Sequence, residues 1–291
     1  MLKAEFDTLV PATGDFNRRD FVRKTVGSGF AAAVLPVAAQ TIKTSADGLL
    51  AGEVFIPVGD FNMPAYRAVQ AGKPNAPVVL VISEIFGVHE HIADVALRLA
   101  RAGYCAIAPE LFVRHGDAAA YGEVAKLIAE VVSKVPDGQV MGDLDATVAW
   151  ARAQGFDASK LGITGFCWGG RITWLYTAHN PGVKAGVAWY GRLTGSPTAL
   201  SPSHPIDQVG SLHGPVLGLY GGQDTGIPLD RVEQMKAALA GGSEAARKSR
   251  FTVYPDAPHA FHADYRSSYR KEAAVDGWQR TLAWFRANGV A

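Results

Sequence analysis

Apolar positions along the chain alternate between two spacings. Short continuous apolar runs, rich in β-branched residues, mark strands buried on both faces: "APVVLVIS" (76–83), "YCAIAPEL" (104–111), "KLGITGF" (160–166), "KAGVAWYG" (184–191) and "GPVLGLYGG" (214–222). "RFTVYPDAPH" (250–259) reads as a strand running into a loop. Between them, apolar residues recur at near-helical spacing. "HEHIADVALRLARAG" ends at Gly103, and "GRITWLYTAHN" is stopped by Asn180-Pro181-Gly182. Residues 119–135, 142–153, "LDRVEQMKAALAG" and "EAAVDGWQRTLAWFRANG" also read as helices. Upstream, "EVFIPVGDFNMPAYRAVQ" (53–70) forms two runs joined by Gly59-Asp60, an edge hairpin. Strand–helix alternation over 53–291 predicts one α/β domain: a mostly parallel sheet with helices on both faces and right-handed crossovers.

The polar stretch 40–52 reads as a linker, and residues 1–39 as an export signal. Arg18-Arg19 precede Phe21, Lys24 and a weakly apolar, Ala-rich run that ends in "PVAAQ", with a cleavage point after Ala39. The run is too short and too mildly apolar for a permanent membrane anchor. The pattern resembles a twin-arginine signal, an address read by the export machinery. It predicts a periplasmic or secreted protein, or a cytoplasmic one if the Arg pair is incidental.

Composition narrows the chemistry. The 291 residues are 48% hydrophobic, with a formal net charge of +1, which gives no footprint for nucleic acid or an acidic membrane. The only cysteines are Cys105 and Cys167, too few for a disulfide framework or a zinc cluster. Cys105, inside an apolar run, reads as a core residue. No glycine-rich dinucleotide or phosphate loop follows a strand, and no cofactor or metal is expected. "HEH" at 89–91 reads as a solvated helix start.

Ligand chemistry in an α/β sheet gathers beyond the carboxyl ends of the strands. Three residues fall there in a telling order: Cys167 in "GFCWGG", Asp224 in "GGQD" and His259 in "APHAFH". Nucleophile, acid and histidine follow one another as in the α/β-hydrolase architecture, whose nucleophile sits on a sharp strand-to-helix turn. Gly165 and Gly169 keep that turn uncrowded. The helix start after Cys167 favours a thiolate. His259 would exchange the thiol proton, and Asp224 would fix its tautomer. Backbone N–H groups of Trp168 and of Ile85, in the loop after the first buried strand, would hold the oxyanion.

With "EIFGV" (84–88), "GYCAIAPELF" (103–112), "GFCWGG" (165–170), "WYG" (189–191), "GGQD" (221–224) and "PHAFH" (258–262), the chain resembles dienelactone hydrolase, or carboxymethylenebutenolidase, from about residue 53 to the end. The resemblance implies that a cysteine is the native nucleophile. It also implies that Glu84 sits beside the resting thiol and takes its proton when substrate arrives, and that Tyr190 lies near the site. Trp168 departs from the aliphatic residue often found after that cysteine. A second departure concerns the substrate carboxylate, which the family grips with two arginines. Here no arginine lies between Arg114 and Arg152, and Ala263 stands four residues after His259. Arg266, seven after, is the substrate-binding candidate. A distant Lys126 does not replace a bidentate guanidinium.

These readings converge on a hydrolase that opens a small ester or lactone through an acyl-cysteine. Two rivals remain. One is a non-catalytic member of the fold that binds a small ligand. The other is a thiol redox protein with Cys105 as resolving cysteine.

Overall fold

The computed structural model describes residues 41–291. The export signal expected at 1–39 lies outside them. Eight strands, β1 (Leu49–Val58), β2 (Phe61–Gln70), β3 (Pro77–Ile82), β4 (Cys105–Pro109), β5 (Asp157–Phe166), β6 (Val183–Trp189), β7 (Val216–Gly221) and β8 (Arg250–Tyr254), form one sheet in the order β1-β2-β4-β3-β5-β6-β7-β8. β1 and β2 make the expected hairpin, and β2 pairs antiparallel with β4. Every pairing from β4 through β8 is parallel. β3 and β4 are buried almost throughout, as continuous apolar runs require, whereas edge strand β1 is largely exposed.

Among the described residues, seven helices connect the strands: α1 (Glu90–Arg101), α2 (Val124–Glu130), α3 (Asp137–Ala153), α4 (Trp168–His179), α5 (Leu229–Ala240), α6 (Glu244–Lys248) and α7 (Lys271–Ala287). This is the single-domain α/β-hydrolase arrangement that the alternation of elements implied.

Differences from the sequence reading fall where periodicity is weak. The helix expected over 119–135 reduces to α2, because Ala118–Ala120 forms a 3-10 turn and Tyr121 is extended. α3 starts at Asp137, before its apolar spacing begins, on the extended Pro136. α6 and a 3-10 turn over Pro205–Ser211 carried no clear pattern.

The stretch 40–52 is not a plain linker. β1 begins at Leu49, and the residues before it are tied to the domain. Ile42 N–H donates to Asp264 Oδ2 at 3.2 Å and Thr44 N–H to Asp94 Oδ1 at 2.6 Å. Arg101 reaches the Ser45 carbonyl at 2.8 Å. Short polar residues could dock there only once α1 and the loop after β8 had supplied the carboxylates.

Candidate active site

Parallel strands ending on one side bring loops distant in sequence together. Cys167 follows β5 directly and caps α4. Its backbone is forced to φ 54° and ψ −113°, a left-handed geometry costly for a residue with a Cβ. Its N–H is held by the Trp189 carbonyl at 3.0 Å, and its own carbonyl starts the helix by accepting from Arg171 at 3.2 Å. The turn closes only because its neighbours are glycines. A Cβ at Gly165 would collide with the Gly169 carbonyl, and one at Gly169 with the carbonyls of Ile82 and Ser83. The first turn of α4 therefore rests directly on the end of β3. That contact sets the loop carrying Glu84 and Ile85 beside Cys167.

Asp224 and His259 lie beyond β7 and β8. Asp224 Oδ2 is 2.7 Å from His259 Nδ1. Its Oδ1 accepts from the backbone N–H groups of Gly226 at 3.0 Å and Ile227 at 3.1 Å, which fix the carboxylate. His259 Nε2 is buried and meets no oxygen or nitrogen partner; the group that acts on the ring from the other side is the Cys167 sulfur. Burial pulls the imidazole down. The Cys167 charge, with hydrogen bonding to Asp224 and Cys167, outweighs burial and holds it well above its ordinary range.

Trp168, as the first residue of α4, has an N–H with no intrahelical acceptor. Ile85 is buried in the loop after β3. That loop is braced from β4's end: Val88 N–H donates to Glu110 Oε2 at 2.9 Å, and Gly87, at φ 73°, leaves room for the Glu110 carboxylate. The Trp168 ring lies against Phe112, with centroids 4.7 Å apart, and walls the site.

Glu84 is buried. Its Oε2 accepts from Tyr265 O–H at 3.0 Å and pairs with Arg266 Nη2 at 3.5 Å, while Oε1 has no partner. Burial pushes its carboxyl upward, but Arg266, then His89, His91 and His259, override this and keep it below the usual carboxylate range. Arg266 thus turns inward, its guanidinium 4.9 Å from the Phe86 ring and 5.0 Å from that of Tyr265. Tyr190 is fully buried at φ 38°, its ring edge-on to His259 at 5.1 Å and its hydroxyl unpaired. Burial and then the charges of Glu84, Tyr265 and Cys167 raise its pKa far enough to keep it an O–H donor.

The structure corrects one reading and adds residues that the sequence did not reveal. The histidines of "HEH" are not a solvated helix start. His91 is buried with Nδ1 3.1 Å from Asp264 Oδ1, and both ring nitrogens of His89 are sealed from solvent. Tyr265 joins the site through Glu84. Tyr265 sits in no recognisable motif, and His89, in "HEH", carries only a polar pattern; the fold of the loop after His259 against the start of α1 brings them in. Among the described residues, no group of His, Cys, Asp and Glu could hold a metal ion.

The sheet order and the strained strand-to-helix turn at Cys167 are those of the α/β-hydrolase fold. Residues 63–289 match the model of the dienelactone hydrolase family, and the chain belongs to that family. It is 58% identical over 277 residues to a Methylorubrum extorquens protein named "Putative carboxymethylenebutenolidase", with 94% of each chain covered. It is 53% identical over 267 residues to an Escherichia coli K12 protein of the same name, covering 91% of this chain and 97% of that one. The crystal structure of a "Putative Dienelactone Hydrolase" from Klebsiella pneumoniae superposes with a TM-score of 0.80 at 55% identity, covering 82% of this chain and 99% of that one. The protein is a hydrolase of the kind that acts on esters or lactones.

Proposed function

We propose that the protein hydrolyses small esters or lactones through an acyl-cysteine intermediate. The observation that carries this reading is the strained Cys167 at the start of α4, coupled to an Asp224-oriented His259. Cys167 sulfur attacks the acyl carbon, and the oxyanion is held by the N–H groups of Ile85 and Trp168. His259, held protonated between Asp224 and Cys167, gives that proton to the leaving alkoxide; the neutral imidazole then takes a proton from the water that releases the acid, which restores the imidazolium. Glu84, with Oε1 unpaired, accepts the thiol proton when substrate enters and so activates the nucleophile. Tyr190 and Arg266 face the substrate, Tyr190 as an O–H donor. An anionic substituent would reach Arg266 only by displacing Glu84.

The redox alternative meets a geometric obstacle. Cys105 is level with Val78, and Val78 with Leu161. The path from Leu161 to Cys167 along the same strand direction adds roughly 20 Å at strand rise. A disulfide cannot bridge that span. Burial also pushes the Cys105 thiol up to about 12, with Arg67 opposing weakly, so it is a poor nucleophile.

The deciding experiment is turnover of an ester and lactone panel by wild type and by Cys167→Ala. Loss of all turnover in the folded variant is expected. Turnover retained in the variant would refute the acyl-cysteine route, and inactivity of both would favour a binding protein. We further propose export by the twin-arginine route, on the Arg18-Arg19 signal. A periplasmic form beginning at Gln40 is the expected result, and an unprocessed cytoplasmic chain would overturn it.

A further inference from the structure

His89 precedes α1 in extended geometry, at φ −118° and ψ −177°, yet its side chain does not cap the helix. The ring is fixed instead from two sides. It packs edge-on to Tyr265 with centroids 5.2 Å apart, and lies nearly parallel to the His91 ring at 6.2 Å. Tyr265 in turn donates to Glu84, and His89 lies near enough to that carboxylate to act on its charge, so this half-buried ring is one side chain away from the residues around Cys167. Both of its nitrogens are buried and neither has a hydrogen-bond partner. Buried polar atoms left unpaired are costly and uncommon, and where they cluster at a site they await a ligand.

Three other unpaired atoms around Cys167 have assignments in the proposed chemistry. His259 Nε2 serves the thiol, Glu84 Oε1 takes the thiol proton, and the Tyr190 hydroxyl can only donate usefully to an acceptor. His89 has no role in that chemistry. Burial, then the repulsion of His91, hold its pKa down to about 3 against the opposing pull of Glu84, so the ring is neutral at physiological pH. A neutral imidazole offers one donor and one acceptor. Its neighbour Arg266 is already balanced by Glu84. A carboxylate meeting this wall would satisfy the donor nitrogen alone and would face the Glu84 charge. A hydroxyl satisfies either nitrogen, because it both donates and accepts.

We infer that His89 is a substrate-binding residue that recognises an uncharged hydroxyl substituent, so that the preferred substrates are hydroxylated small lactones or esters rather than carboxylated ones. This rests on the hydrolytic reading of the site. It goes beyond that reading by naming the substrate class and the residue that selects it. A site built to hydrogen-bond a substrate hydroxyl rejects the analogue lacking it, because the protein group is then left buried and unpaired.

The test compares γ-butyrolactone, its derivatives with a hydroxyl at the α or the β carbon, and a carboxylated derivative, as kcat/KM ratios. In wild type, at least one hydroxylated lactone should be preferred by ~tenfold or more over both the parent and the carboxylate, as a hydrogen-bonded hydroxyl implies. In His89→Phe, which keeps an aromatic ring but neither nitrogen, that ratio should fall toward one, with the change carried by KM. His89→Gln keeps a donor and an acceptor and should restore part of it. Binding of the same lactones to Cys167→Ala, read by calorimetry with and without His89→Phe, measures the preference without turnover. A failure of the hydrolytic reading, seen as no turnover by wild type, is thereby separated from a failure of this one. A wild type that shows no hydroxyl preference in rate or binding, or a preference that survives His89→Phe, overturns the inference.

Discussion

Replacing Asp224 by Asn separates the fold from the chemistry at a single atom. The carboxylate divides its work. Oδ1 accepts from the N–H groups of Gly226 and Ile227, and Oδ2 faces His259 Nδ1 at 2.7 Å. An Asn carbonyl can keep both backbone bonds, so stability should change by less than about 1 kcal/mol. Its amide, however, presents N–H to His259 Nδ1. The proton then sits on Nε2, Nδ1 can no longer carry a second one, and the imidazolium that pairs with the sulfur and protonates the leaving group no longer forms. The negative charge that steadies imidazolium is lost as well. A charge-assisted bond contributes about 1.5–3 kcal/mol, or roughly 10- to 150-fold, and the wrong tautomer extends the loss to about 10²–10⁴-fold in kcat. Asp224→Ala strands two buried N–H donors in addition and should cost about 2–4 kcal/mol of stability. The assay is the acylation burst with a chromophoric ester, paired with a urea midpoint. If the Asp224→Asn variant were folded as wild type and acylated within about threefold of its rate, tautomer control by Asp224 would be wrong.

Two further predictions concern stability. Gly165→Ala places a Cβ against the Gly169 carbonyl and 2.8 Å from Thr173 Oγ1, so elbow and α4 must move apart. A loss of about 2–3 kcal/mol and a weaker burst are expected, and a wild-type urea midpoint would show that the elbow is not that tight. Acid should destabilise the fold before its carboxylates protonate. His89, held near about 3 by burial and His91, and His262, held well below its ordinary range by burial, His91 and Arg98, stay neutral in the folded state. The unfolded chain protonates both near ~6.5, so their stabilising effect is present above that pH and is lost as pH falls toward about 3. His259, with its raised pKa, acts in the opposite direction, its contribution being lost as pH rises. For His89 the span from ~6.5 to about 3 corresponds to at most about 5 kcal/mol. Urea midpoints at pH 7 and pH 4 should converge in His89→Gln relative to wild type, and parallel profiles would refute its share.

What the sequence determined was whatever local rules encode. Apolar runs bounded by helical spacing yielded the parallel sheet. Elements with strong periodicity, such as α1 and α7, lie close to their expected bounds. Cys167, Asp224 and His259 were legible because strand ends in a parallel sheet share one side, so their order along the chain suffices to group them. The glycines of the elbow were legible because their need is steric and local. Tertiary structure decided the rest. Whether Arg266 turns inward depends on the face of its neighbour Tyr265 and on a buried Glu84 and the face of Phe86, the last two far away in sequence. The docking of residues 41–47 depends on Asp94 and Asp264. His89 and His91 look like surface polar residues because polar character in a sequence does not record burial. Only the packing of the loop after β8 onto the start of α1 removes water from their rings, and burial is what turns an ordinary histidine into a neutral, unpaired hydrogen-bonding group.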